Sequence, residues 1–261
     1  MWSLQKNAVL YSWHHNEDRS DGIIAAAISE NEKYALTAQR EALVWWRILD
    51  GRNMRAWKMP AIQSLCISKD GQFAVIGLRE KAIYFALGNG KALLEFEHSA
   101  PVNACDLSSD GRYALTGSRD KSAKLWRLSD GKKLRTFNHR FEIAALALDP
   151  KNRYVLTNEA LGQTRLWSIE SGKLKKVIGP PQMTLSVARF SPDGRYLATG
   201  HVSEGIDLWE VKSGKRRRHW NPDSPAHWPP AAASISALSF ANQGKYLLSA
   251  LSRGSVQLWK I

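Results

Sequence analysis

Three residues of this chain have the types of a hydrolase triad. His98, Thr116 and Asp120 offer an imidazole, a hydroxyl and a carboxylate, the set in which a carboxylate orients a histidine and the histidine takes the hydroxyl proton. Two of them sit four residues apart in "TGSRDKSAKLW", Thr116 to Trp126. A second group, His14 and His15 with Glu17 and Asp18, has metal-ligand types. Adjacent histidines in a polar stretch do not define a coordination geometry, so no metal is expected. Cys66 and Cys105 are the two cysteines; they have no metal spacing and imply no disulfide framework. Whether Thr116 can react depends on the element that carries it.

That element repeats. Trp46, Phe85, Trp126, Trp167, Trp209 and Trp259 each close a short apolar run: "LVWW", "AIYF", "AKLW", "TRLW", "IDLW", "VQLW". Twelve or thirteen residues before each stands an aromatic: Tyr34, Phe73, Tyr113, Tyr154, Tyr196, Tyr246. Turns precede these rings, as in "SKDGQF", "SSDGRY" and "SPDGRY", with "DPKNRY" and "ENEKY" as degenerate copies. A second turn follows each apolar run, as in "LSDGKK" and "IESGKL". Eleven residues past the first five anchors come Trp57, Phe96, Phe137, Ile178 and Trp220. Each unit therefore reads as four strands, a, b, c and d; in the third they are "VNACDLS", "RYALTG", "SAKLWRL" and "KLRTFN". Tryptophan-anchored four-strand units of about 40 to 45 residues predict an all-β propeller.

The units resemble WD repeats, most closely in "LSSDGRYALTGSRDKSAKLWRLSDGK" and "FSPDGRYLATG…IDLWEVKSGK". The resemblance runs from about residue 8 to 261 and implies a single propeller domain over 1–261. Six a-b-c triples predict six blades; seven is the commoner number in the family. The last triple ends at "QLWKI" with no strand d. Trp13 lies eleven residues after Trp2, the offset of the five strand-d anchors, so the strand at about 8–13 is expected to pair with 255–261 and close the ring. Residues 1–7 then read either as the tail of a longer N-terminus or as a frayed end.

The family resemblance also implies a role for the opening residues. It assigns His98, Thr116, Asp120 and Trp126 to a structural network that braces a blade. A hydroxyl on an inner strand has neither the exposure nor the oxyanion hole that acyl transfer needs, so the chain is read as a non-enzyme with no catalytic residue and no cofactor. The other blades keep only parts of the set. Leu161, Glu41, Glu80, Ser203 and Arg253 stand in the Asp slot, and Ile76 replaces the hydroxyl.

Function is then expected in the loops. The a–b and c–d turns are short and alike, whereas the d–a and b–c connections vary, and variable loops on a rigid scaffold are where binding concentrates. The longest is "NPDSPAHWPPAAAS", Asn221 to Ser234, with His227 and Trp228 at its tip. Two placements of Trp228 stay open: an exposed anchor or a plug folded back on the blades. Arg79, Arg119, Arg140, Phe141, Glu159, His201 and Arg253 are placed on the same rim, and the arginines point to an acidic protein partner. The chain is basic, with 37 Lys and Arg against 24 Asp and Glu, a net charge of +13. The lysines and arginines of the d strands, among them "GKRRRHW", read as charges that blunt exposed edges. Nucleic acid is disfavoured because no stacking aromatics interleave them. No apolar stretch is long enough for a membrane span. The reading is an interaction scaffold, monomeric by itself and cytoplasmic by default. The alternative is a bacterial envelope protein whose leader has been removed.

Overall fold

The computed structural model describes residues 2–3, 8–9, 13, 22–202, 205–222, 234–252 and 255–261. The fold is an all-β six-blade propeller built from antiparallel sheets in chain order. Blade 1 holds Ala25–Ile28, Tyr34–Ala38, Ala42–Arg47 and Asn53–Lys58; blade 2 holds Ser64–Ile67, Phe73–Gly77, Lys81–Ala86 and Lys91–Glu97. Blade 3 holds Val102–Leu107, Tyr113–Ser118, Ser122–Arg127 and Lys133–Asn138. Blade 4 follows with Ile143–Leu148, Tyr154–Glu159, Thr164–Ser168 and Leu174–Ile178, and blade 5 with Leu185–Phe190, Tyr196–His201, Ile206–Glu210 and Arg216–Trp220. Blade 6 shows three strands among the described residues, Ile235–Ala241, Tyr246–Leu251 and Val256–Lys260. The residues group into two compact units, 1–114 with 127–132 and 115–126 with 133–261.

The repeated turn before strand b is a hydrogen-bonded device. The hydroxyls of Ser29, Ser68, Ser108 and Ser191 accept the backbone N–H of Tyr34, Phe73, Tyr113 and Tyr196 at 2.8–3.0 Å. They donate to Asn31, Asp70, Asp110 and Asp193 at 2.5–2.7 Å. The residue two before the aromatic has positive φ, which glycine meets without strain: Gly71, Gly111 and Gly194 lie at 67–73°. In the degenerate copies Glu32 (57°) and Asn152 (55°) take the same conformation, so the turn persists where the glycine does not.

Each blade then carries a buried or half-buried ring on strand c. The indole N–H of Trp46, Trp126, Trp167, Trp209 and Trp259 donates to the hydroxyl of Thr37, Thr116, Thr157, Thr199 and Ser249 at 2.7–2.9 Å. Blade 2 has Phe85 on strand c, which has no donor, and there the hydroxyl is absent too: Ile76 fills its place, fully buried. The two exceptions in the repeat are one exception. Next to the hydroxyl, strand b often carries glycine, because strand a of the following blade passes close. A Cβ on Gly77 would stand 2.3 Å from the Val102 carbonyl oxygen, and one on Gly200 2.6 Å from Ile235. Blade 4 has Asn158 at that position. It reaches the same neighbour by bonding the Met183 carbonyl at 2.7 Å and the Leu185 N–H at 3.0 Å.

Blades also meet ring to ring. Trp57 of strand d stands edge-on to Phe85 of the next blade's strand c at 5.3 Å, Phe137 packs on Trp167 at 5.2 Å, and Trp220 packs on Trp259 at 5.9 Å. Trp13 follows the same rule, stacking on Trp46 at 5.1 Å and donating its indole N–H to the Gly51 carbonyl at 3.1 Å. The strand-d offset read from Trp2 and Trp13 thus marks a real packing position. The ladder expected between 8–13 and 255–261 is not seen among the described residues, where Ala8–Val9 pairs with Trp2–Ser3 in the register Trp2↔Val9; residues 10–12 lie outside them. A local hairpin closes a far shorter loop than a pairing of the two chain ends.

The coupled loss in blade 2 makes a prediction. Thr116→Val is expected to cost on the order of 1–3 kcal/mol, because it strands a buried indole N–H. Adding Trp126→Phe, which copies blade 2, is expected to return part of that loss. A denaturant-unfolding double-mutant cycle at 116 and 126 checks this through a coupling energy above about 0.5 kcal/mol.

Candidate interaction surface

The hydroxyl that raised the triad question is fully buried. Thr116 Oγ1 accepts the Trp126 indole and donates weakly to the Lys124 carbonyl at 3.4 Å, so neither lone pair nor proton faces a substrate. Asp120 accepts the Ser122 N–H at 2.9 Å and its hydroxyl at 2.6 Å, with Lys124 Nζ 3.7 Å away. His98 is buried, and its backbone N–H donates to the Glu80 carbonyl at 2.8 Å.

Blade 4 lacks the Asp of the slot and uses a carboxylate from two residues earlier. Glu159 ends strand b with its side chain buried, and Leu161 in the slot itself is exposed. The Glu159 Oε2 accepts the backbone N–H of Arg140 at 2.8 Å and of Phe141 at 3.1 Å. Arg165 Nη2 lies 3.0 Å from Oε1 and the Gln163 N–H 3.4 Å from it. Burial raises the Glu159 pKa, but the N–H groups of Phe141, Arg140 and Gln163 and the charge of Arg165 outweigh it, leaving it below the ordinary value. Gly162 is required here, since a Cβ would stand 2.1 Å from Glu159 Cγ. His139 completes the cluster: its Nδ1 accepts from Arg165 Nη1 at 2.9 Å. Burial, then the Arg165 charge, lower its pKa to about 4 against the pull of Glu159, so it is neutral at physiological pH.

Glu159 thereby fixes the d–a connection at 139–142. Arg140 and Phe141 are exposed there, with the Arg140 guanidinium carbon 5.4 Å from the centre of the Phe141 ring. Glu142 lies beside them and pairs with exposed Arg119 Nε at 3.4 Å. Such a surface pair adds little stability, so these charges remain available to a partner. In the other unit, exposed Arg79 borders an open cleft lined also by Arg40, Glu41, Pro60, Ala61 and Gln63.

His201 is not on the exposed rim where the sequence placed it. It is buried, with Nε2 3.0 Å from Asp207 Oδ2. The register Thr199↔Asp207 puts His201 on the same face as Asp207, one diagonal step away, and the buried carboxylate takes both His201 and His219, whose Nδ1 is 2.8 Å away. Burial raises the Asp207 pKa, and the two histidines more than reverse it. His227, Trp228 and Arg253 lie outside the described residues. Glu159, like His201, is placed on the rim by the sequence and is buried instead, and Asp207 is not singled out there; neither reads from sequence as an organising carboxylate. The one signal available was a charge inside otherwise apolar strands, in "YVLTNE" and "IDLWE".

The His139–Glu159 cluster links stability to pH. A histidine whose native pKa is lowered from 6.5 to about 4 contributes stability that is complete above about pH 6.5 and is lost as pH falls towards 4, because the unfolded chain binds the proton first. The expected loss is roughly 3 kcal/mol, with Glu159 adding in the same direction at lower pH. Urea midpoints at pH 7, 5.5 and 4.5 check this, and His139→Asn is expected to flatten the slope. Gly162→Ala is expected to destabilise by about 1–3 kcal/mol, while Gly88→Ala, where a Cβ meets nothing within 4 Å, is near neutral.

The model of the WD domain, G-beta repeat family (WD40) matches residues 90–127 and 220–260. The chain is also similar to U3 small nucleolar RNA-associated protein 12 of Saccharomyces cerevisiae, 29% identical over 102 residues, which is 38% of this chain and 11% of that protein. The matched stretch is thus a small fraction of the relative. No helix among the described residues is long and apolar enough to cross a membrane. The chain is thus a six-blade β-propeller, two stretches of which, 90–127 and 220–260, match the WD domain, G-beta repeat family.

Proposed function

We propose that the chain is a non-catalytic scaffold that docks a protein partner through its d–a and b–c connections. The observation that carries this reading is the 139–142 turn. A buried carboxylate locks its backbone by two hydrogen bonds, and the side chains it holds outward are an arginine and an aromatic ring. Rigid presentation lowers the ordering cost of binding, and Arg and aromatic side chains dominate interface energies. Arg119 beside this turn gives it a positive charge suited to an acidic partner; Arg79 in the other unit, and Arg253 outside the described residues, are proposed as further contacts for the same kind of partner. His227 and Trp228 in the 221–234 loop belong to the same proposed surface. WD propellers typically bind proteins, and the yeast relative is named for association with a small nucleolar RNA; both support a role in an assembly.

The test is affinity capture from the native organism with the wild-type chain and with Arg119→Glu/Arg140→Glu/Phe141→Ala. The variant is expected to keep the wild-type circular dichroism and melting temperature and to lose at least one stoichiometric protein. Recovery of an unchanged protein set would overturn the reading.

A further inference from the structure

The outer strands of blades 4 and 5 carry a run of cations that the fold does not consume. Strand d of blade 4 is Leu174–Ile178, preceded by Lys173; strand d of blade 5 is Arg216–Trp220, preceded by Lys215. Both belong to the unit 115–126 with 133–261. Some of these charges have structural work: Arg216 pairs with Asp207 at 3.4 Å, Arg217 pairs with Glu210 at 2.9 Å, and Lys176 Nζ caps the Lys212 carbonyl. The Lys176 hydrogen bond ties the two blades at this edge. Lys173, Lys175, Lys215 and Arg218 are exposed and form no ion pair among the described residues. Of these, Lys175 lines a groove between the two blades together with Arg153, Arg195, Lys176 and Lys212, against the single carboxylate of Glu210; Lys173 precedes the strand that carries Lys175, Lys215 precedes strand d of blade 5, and Arg218 lies on it. Arg153 and Arg195 are held in place by Asp149 and Asp193 at 2.6 Å, which leaves the lysines as the groove's charges without a carboxylate partner among the described residues.

The chemistry of the groove selects its ligand. Tyr154 and Tyr196 also line it, but each ring is covered by its neighbour: the Arg153 guanidinium carbon lies 5.3 Å from the Tyr154 centroid and that of Arg195 6.0 Å from Tyr196. No aromatic anchor is offered, and no platform for base stacking. Protein interfaces are depleted in lysine and built around aromatic anchors, whereas phosphate groups are bound by Lys and Arg without regard to base identity. Blunting a strand edge explains one or two lysines per strand. It does not explain a groove lined by five cations against one carboxylate, on the same two blades whose outer strands carry further exposed cations without an ion pair among the described residues.

We propose that this edge of blades 4 and 5 binds the phosphate backbone of a nucleic acid, independently of sequence. The site is distinct from the protein-docking rim and goes beyond that reading.

The test measures fluorescence anisotropy of a labelled 20-nucleotide oligouridylate with the full chain between 50 and 300 mM salt. Binding is expected to weaken linearly on a log–log plot. Lys173→Glu/Lys175→Glu/Lys215→Glu/Arg218→Glu is expected to lower affinity at least tenfold at 100 mM salt. It is also expected to reduce the salt slope by about 3, at roughly 0.7 for each phosphate that the variant no longer neutralises. A variant carrying the same charge change elsewhere, Arg52→Glu/Arg55→Glu/Lys58→Glu/Lys91→Glu, is expected to bind nearly as the wild type. The four Lys/Arg→Gln changes at the proposed site provide a milder variant, expected to show part of the loss, and melting temperatures report folding of all three. The proposal is overturned by absent binding at 50 mM salt, by equal losses in the two Glu variants, or by polyglutamate of equal charge competing as well as the oligonucleotide. That last outcome would assign the edge to an acidic protein.

Discussion

The structure depends on a strand-c ring in every blade and, in the five blades where that ring is an indole, on an acceptor for its N–H. A tryptophan gains most from lying between two sheets, but its nitrogen must then find an acceptor. Five blades place a hydroxyl on the adjacent strand, and that bond couples strand b to strand c at one register. The ring is then positioned to receive the strand-d anchor of the preceding blade. Blade 2 satisfies the same constraint by removing both partners, which leaves an apolar contact of Phe85 and Ile76 and no unmet polar atom.

The same accounting governs the carboxylates. A buried charge needs several donors, and each of these two blades recruits them from the connections and strands that pass the carboxylate. Blade 4 draws on backbone N–H groups of the d–a connection, so the carboxylate that stabilises the blade also shapes the exposed turn. Blade 5 draws on two histidines. Arg140 and Phe141 are displayed because Glu159 is satisfied, while His201 is withdrawn from the surface because Asp207 requires it.

Much of the fold was legible because its signals are local or periodic. The turn serine, the positive-φ position and the aromatic that follows lie within six residues of one another, and their spacing recurs along the chain. Trp13 was readable as a strand-d anchor from its offset alone, although the ladder pairs Ala8–Val9 with Trp2–Ser3. The candidate surface was less legible. A sequence places a side chain on a connection but not its partner across strands. His201 and Arg140 both looked like rim residues, and only one of them is exposed.

By itself the amino-acid order determined the number of blades, the strands within each and the residues that turn the chain, since these follow from short-range backbone preferences repeated at a fixed period. It also determined the excess of positive charge. The tertiary structure decided which charges are spent and which remain. Arg216 and Arg217 neighbour Arg218 in sequence, yet the first two are held by Asp207 and Glu210 on the adjacent strand, and the third pairs with no described carboxylate. Coulombic pairing acts over a few ångströms in space, and those ångströms are set by strand pairing and by blades that lie far apart along the chain.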